Sequence, residues 1–131
     1  MGAAEVAFER GVLQDLPTAS ADLVVSTFVL HHLPDATNLE THMCELRRVA
    51  TQGTFHLDFR EHPSRLLTTA WLAVLAGLGC SKALRLDGAQ SVARAWTKQE
   101  LTGAARAAGW EPSLRGVLGI CRTVRGEFSQ P

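Results

Sequence analysis

Residues Asp22 to Asp35 read DLVVSTFVLHHLPD, and the reading of this stretch decides the fold. Asp22 runs straight into Leu23, Val24 and Val25 without polar alternation. A strand buried on both faces of a parallel sheet has this pattern. The run opens into Ser26, Thr27 and Phe28, then into a loop with two adjacent histidines, His31 and His32. Pro34 and Asp35 close the loop and lead into a helix. Open α/β sheets bind ligands at the carboxyl ends of such strands.

Upstream, Val6 and Phe8 alternate with polar residues as a short strand that Gly11 ends, and Leu16-Pro17 makes a turn. Downstream, Leu39, Met43, Leu46 and Val49/Ala50 recur at helical spacing, and Gln52-Gly53 reads as the stop. Thr54 to Phe59 is the next strand, with Phe55, Leu57 and Phe59 on one face and Thr54, His56 and Asp58 on the other. His62-Pro63-Ser64 breaks the pattern, and Leu66 to Ser81 then carries no charge. That segment is shorter than the ~20 apolar residues of a membrane span. It reads as a buried or lid helix, and Leu84 to Arg94 reads as loop. Thr97 to Glu100 is a capping box opening a helix whose stripe is Leu101, Ala104, Ala105 and Ala108, with Gly109 as its stop. Trp110 to Leu118 and Gly119 to Arg125 then form two strands joined tightly, hence antiparallel. Phe128 to Pro131 reads as a loose tail.

The length, 131 residues, suits one domain. Apolar residues make up 46% and charged residues 20%, a globular composition. Lys plus Arg and Asp plus Glu are both 13, so no basic surface of the kind nucleic-acid binding needs is legible. Cys44, Cys80 and Cys121 are odd in number and lack CxxC spacing, which fits free thiols in a cytoplasmic protein. Met1 to Arg10 has neither the basic start nor the apolar core of a signal peptide.

Several segments together resemble the class I S-adenosylmethionine-dependent methyltransferases, in particular the type 11 and type 25 methyltransferase domains. They are Val6-x-Phe8-x-x-Gly11 through Leu16-Pro17, Asp22 to Val25, Leu30-His31-His32-Leu33, Glu45 to Val49, the strand ending at Asp58, Asp87-Gly88 with Ser91-Val92, and Trp96-Thr97 to Leu101. The resemblance implies an α/β fold with a Rossmann-like mixed sheet. The family's seven strands lie in the order three, two, one, four, five, seven, six, with the last antiparallel and helices on both faces. Only strands three to seven have counterparts here, so residues 1–131 read as a single truncated domain without the Gly-rich cofactor loop. The Asp22 strand would then have one open edge, free to take a missing N-terminal segment or to form a homo-oligomer.

The resemblance implies S-adenosyl-L-methionine as cofactor, a small-molecule acceptor, and neither nucleic-acid nor membrane partners. It places cofactor contacts at Gly11, Val12 and Leu13, with Val12 where the family usually has Asp, and at Ser26, Thr27 and Phe28. Ala21 stands where the family often has Phe. His31 is the candidate catalytic base or positioning donor, and His32, Asp58, Trp71 and Trp96 are candidate acceptor contacts. Methyl transfer itself asks mainly for alignment of the acceptor, with a base for a hydroxyl or a protonated amine. Alternative readings are a non-catalytic remnant, an interaction module that pairs through the open edge, or a metal site of His56, Asp58 and His62.

Overall fold

A computed structural model describes residues 7–8, 10–61 and 65–128. Val6, His62 and residues 129–131, on which some of the expectations rest, lie outside them. The strands are β1 (Ala21–Thr27), β2 (Ala50–Phe59), β3 (Pro112–Val117) and β4 (Cys121–Glu127). The helices are α1 (Ala36–Val49), α2 (Arg65–Gly77), α3 (Lys82–Ala93) and α4 (Lys98–Ala107). Short 3-10 turns cover Leu13–Asp15 and Leu30–His32.

The sheet order is β1-β2-β4-β3. β1 and β2 are parallel, with α1 as their crossover, while β4 runs antiparallel to both β2 and β3. This is the order expected for strands four to seven of the resembled fold. No counterpart of strand three appears among the described residues: Ala7 and Phe8 are not in a strand, and Phe8 is exposed. The outer edge of β1 is accordingly unpaired among the described residues.

The core lies on one side of the sheet, under α1 and α4. Leu39, Met43 and Leu46 from α1 meet Leu101, Ala104 and Ala105 from α4, with Trp110, Val124 and Phe128 closing the cluster. Asp35 caps α1 by accepting from the Asn38 N–H at 2.9 Å. The capping box at Thr97 and Glu100 forms as expected, and Gly109, at φ 82, takes the left-handed residue after α4.

The opposite sheet face is open. Leu23 and Val25 are 54% and 59% exposed, so β1 is not buried on both faces as its apolar run suggested. The apolar pattern is real, but α1 and α4 cover only one side. Three further expectations change. Gln52-Gly53 does not stop α1 but lies inside β2, which already begins at Ala50. Leu84 to Arg94 is largely helix, because Ser81 caps α3 by accepting from the Leu84 N–H. Phe128 is not part of a loose tail but is buried edge-on against Trp110, with ring centroids 5.6 Å apart.

The uncharged segment folds as α2, but Val74 and Leu78 are exposed, so it is no core helix. It packs instead against α3. The reason is local: Gly88 faces the Trp71 indole so closely that a Cβ would come within 2.6 Å of it. A glycine inside a helix costs roughly 1 kcal/mol against alanine, and here it makes room for the ring. No helix among the described residues is long and apolar enough to cross a membrane.

Candidate functional site

The carboxyl ends of the two parallel strands bring the candidate residues together. On β2, Thr54, His56 and Asp58 alternate onto the covered face, and all three are buried. Buried polar groups require partners, and each of these has one. Asp58 holds His31. The His31 ring Nδ1 lies 2.6 Å from Asp58 Oδ1, and the His31 backbone N–H donates to Oδ2 at 3.1 Å. The Phe59 backbone N–H also donates to Oδ1, at 2.7 Å. A carboxylate gripped by three donors is fixed in orientation. Because it can only accept, it sets the proton of His31 on Nδ1 and leaves Nε2 as the basic nitrogen. Asp58 therefore engages His31 rather than the neighbouring Arg60, and it does not itself line a cavity.

His31 separates two cavities. The first, of about 250 Å³, is lined by Phe28, Phe59, Trp71, His31 and His32, with Asp87 at its rim. Its aromatic rings touch in sequence: Phe28 to Phe59 at 4.9 Å between centroids, Phe59 to His31 at 5.2 Å, and Phe59 to Trp71 at 5.8 Å. The second, of about 460 Å³, is lined by His31, His32, Leu33, Pro34, Arg94 and Trp96. Trp96 donates its indole N–H to the Leu30 carbonyl at 2.8 Å and so pins the histidine turn from outside.

Phe28 joins β1 to that turn in the left-handed region, at φ 55. For a residue with a Cβ this costs about 1–2 kcal/mol, and such strain gathers at functional sites. Its N–H donates to the Leu57 carbonyl at 2.7 Å, which holds the conformation. Ser26 is committed elsewhere: its hydroxyl lies 2.6 Å from His56 Nδ1, and Thr54 meets His56 Nε2. Either hydroxyl can donate or accept, so the neutral ring is satisfied in both tautomers. Burial first, and then the nearby His42, push the His56 pKa down to about 4.

Of the residues expected to hold cofactor, Phe28 reaches the first cavity and Thr27 is exposed at the end of β1. Gly11 and Val12 are exposed and Leu13 is half-buried; none of the three lines either cavity. The turn that begins at Leu13 is tied to α1 instead, since Arg48 donates to the carbonyls of Leu13, Gln14 and Leu16. His56 and Asp58 serve different partners, and no metal-holding group of His, Cys, Asp and Glu occurs among the described residues. Sequence reasoning missed Asp87, Arg94 and Phe59 as cavity residues. Asp87 and Arg94 fell in a segment read as loop, where no face could be assigned.

Residues 2–57 match the family model described as a methyltransferase domain. Solved structures agree on the fold. A "possible exported protein" from Bordetella parapertussis superposes with a TM-score of 0.61 at 11% identity, over 92% of this chain and 43% of its own. A SAM-dependent methyltransferase from Aquifex aeolicus gives 0.53 at 18% identity, over 88% and 50%. The magnesium protoporphyrin IX methyltransferase of Synechocystis, solved with bound SAH, gives 0.52 at 16% identity, over 91% and 49%. This chain thus spans half or less of the length of each. No curated protein matches it in sequence.

Proposed function

We propose that this chain forms the acceptor side of an S-adenosylmethionine-dependent methyltransferase acting on a small molecule, with His31 as the general base and Asp58 as the residue that positions it. The observation that carries this reading is the 2.6 Å contact between His31 Nδ1 and Asp58 Oδ1, with the His31 ring lining an aromatic cavity. The methyltransferase-domain match over residues 2–57 supports the same chemistry.

The described residues fit the cofactor only in part. Thr27 and Phe28 offer one wall at the end of β1, and the open β1 edge and the Leu23–Val25 face leave room for the remainder. When bound, the cofactor supplies an electrophilic methyl group on a sulfonium. The chain's own residues do the rest. Phe28, Phe59 and Trp71 exclude water and hold the acceptor flat. His31 Nε2 takes the hydroxyl proton as the oxygen gains the methyl group. The resulting imidazolium faces the Asp58 carboxylate, which stabilises it. A positioned base of this kind is worth about 10²–10⁴ in rate.

The three free cysteines support a cytoplasmic location. The unpaired β1 edge favours a second reading, an interaction module that recruits a strand from another chain or a second copy. Calorimetry with S-adenosylmethionine, together with a methyl-transfer assay over hydroxylated acceptors, separates the two. Cofactor binding and transfer support the enzyme; a chain that binds no cofactor but elutes as a dimer supports the module.

A further inference from the structure

Resting on the methyl-transfer reading, we propose that the acceptor is a planar aromatic molecule bearing a cationic substituent, and that Asp87 selects it. Three features of the first cavity lead there. Its lining is rich in rings: Phe28, Phe59 and Trp71, with ring centroids 4.9–5.8 Å apart along the chain of contacts, present aromatic surface beside Leu75 and Leu84. Its volume, about 250 Å³, exceeds the roughly 150 Å³ of a cavity that takes a single benzene, and so suits a bicyclic or substituted ring. Its charge is one-sided: among the described residues no Lys or Arg lines it, while Asp87 does and is exposed.

Asp87 has no hydrogen-bond or ion-pair partner among the described residues and is exposed on α3. A ring lying against Phe59 and Trp71 in the cavity they share with His31 and Asp87, with its hydroxyl at His31, would direct a substituent out toward that carboxylate. An ammonium there gains the carboxylate and the faces of the surrounding rings; a carboxylate meets repulsion and no cation. Arg94 lines the second cavity, not the first.

The test is ligand binding followed by NMR or Trp fluorescence, which needs neither turnover nor cofactor. Three hydroxynaphthalenes are compared, carrying an aminomethyl, a hydroxymethyl or a carboxymethyl group. The expected order is ammonium, neutral, carboxylate, with about a tenfold span at low salt that narrows as salt is raised. Asp87→Asn should remove most of the span and Asp87→Lys should invert it. Equal affinities, a carboxylate preference, no binding of any probe, or selectivity unchanged in both variants overturns the proposal. Calorimetry with S-adenosylhomocysteine on the same preparation keeps the two readings apart. Charge selectivity without cofactor binding sinks the methyl-transfer reading and leaves the pocket; cofactor binding without selectivity sinks the pocket assignment alone.

Discussion

The His56 environment makes acid stability a direct test of the buried face of β2. In the native state the ring is buried, neutral and bonded to Ser26 and Thr54, with its pKa near 4 against 6.5 when unfolded. The unfolded chain therefore binds a proton first as pH falls, and folding loses stability below 6.5. At pH 7 the linkage costs almost nothing. By pH 4.5 it should have removed about 2.5 kcal/mol, and the full gap corresponds to about 3 kcal/mol. That is a large share of the roughly 5–15 kcal/mol that holds a small domain. His42, whose pKa is lowered mainly by burial, adds loss of the same sign. Carboxylates held low, such as Glu61 beside Arg122, lose their contribution only as pH falls through and below their usual range. The interval from 6.5 to 4.5 thus isolates the histidines. The assay is urea unfolding at pH 7, 6, 5 and 4.5 on the native chain and on His56→Gln, which keeps a polar side chain between the two hydroxyls. The native chain should lose about 2.5 kcal/mol more than the variant across that range. Parallel curves for the two proteins would refute the assignment of a buried neutral ring.

Replacing the base, His31→Gln, should lower methyl transfer by about 10²–10⁴, measured in steady-state assays. Asp58→Asn should also lower methyl transfer in the same assays, since the carboxylate that holds the proton on His31 Nδ1 is lost. Gly88→Ala should displace Trp71, because the added methyl would sit 2.6 Å from the indole; aromatic probe binding by NMR should fall while α4 and the core remain intact. Met43→Ala, fully buried between α1 and α4, should lower stability by about 2–5 kcal/mol in denaturant unfolding without changing the order of probe affinities.

Much of the frame is legible because it is local. The 3.6-residue stripe Leu39, Met43, Leu46 and Val49 fixes α1 and its buried side. Thr97 and Glu100 start α4 with their own side chains. The period-two pattern of β2 separates Thr54, His56 and Asp58 from Phe55, Leu57 and Phe59. His31 and Asp58 could each be picked out as polar residues at strand ends. The failures were equally physical. Ser81 caps α3 through a single hydroxyl, and α3 has almost no apolar stripe to announce it, so its cavity residues Asp87 and Arg94 went unseen. Gln52-Gly53 looks like a helix stop, yet ladder bonds to β1 and β4 carry that backbone as strand.

The sequence by itself determined an α/β chain with a parallel β1–α1–β2 unit, a closing antiparallel pair, and histidines at a strand's carboxyl end, because periodicity and caps act over a few residues. Only the tertiary structure decided three other matters. The polar face of β2 turned inward, where Asp58 and His31, 27 residues apart in sequence, became one hydrogen-bonded pair. The apolar run of β1 stayed half open, because α1 and α4 cover a single side of the sheet. An aromatic slot formed beside the pair, because Gly88 in α3 lets Trp71 of α2 lean onto Phe59. Each depends on which element covers which face, and alternation along one strand is the same whichever side is covered.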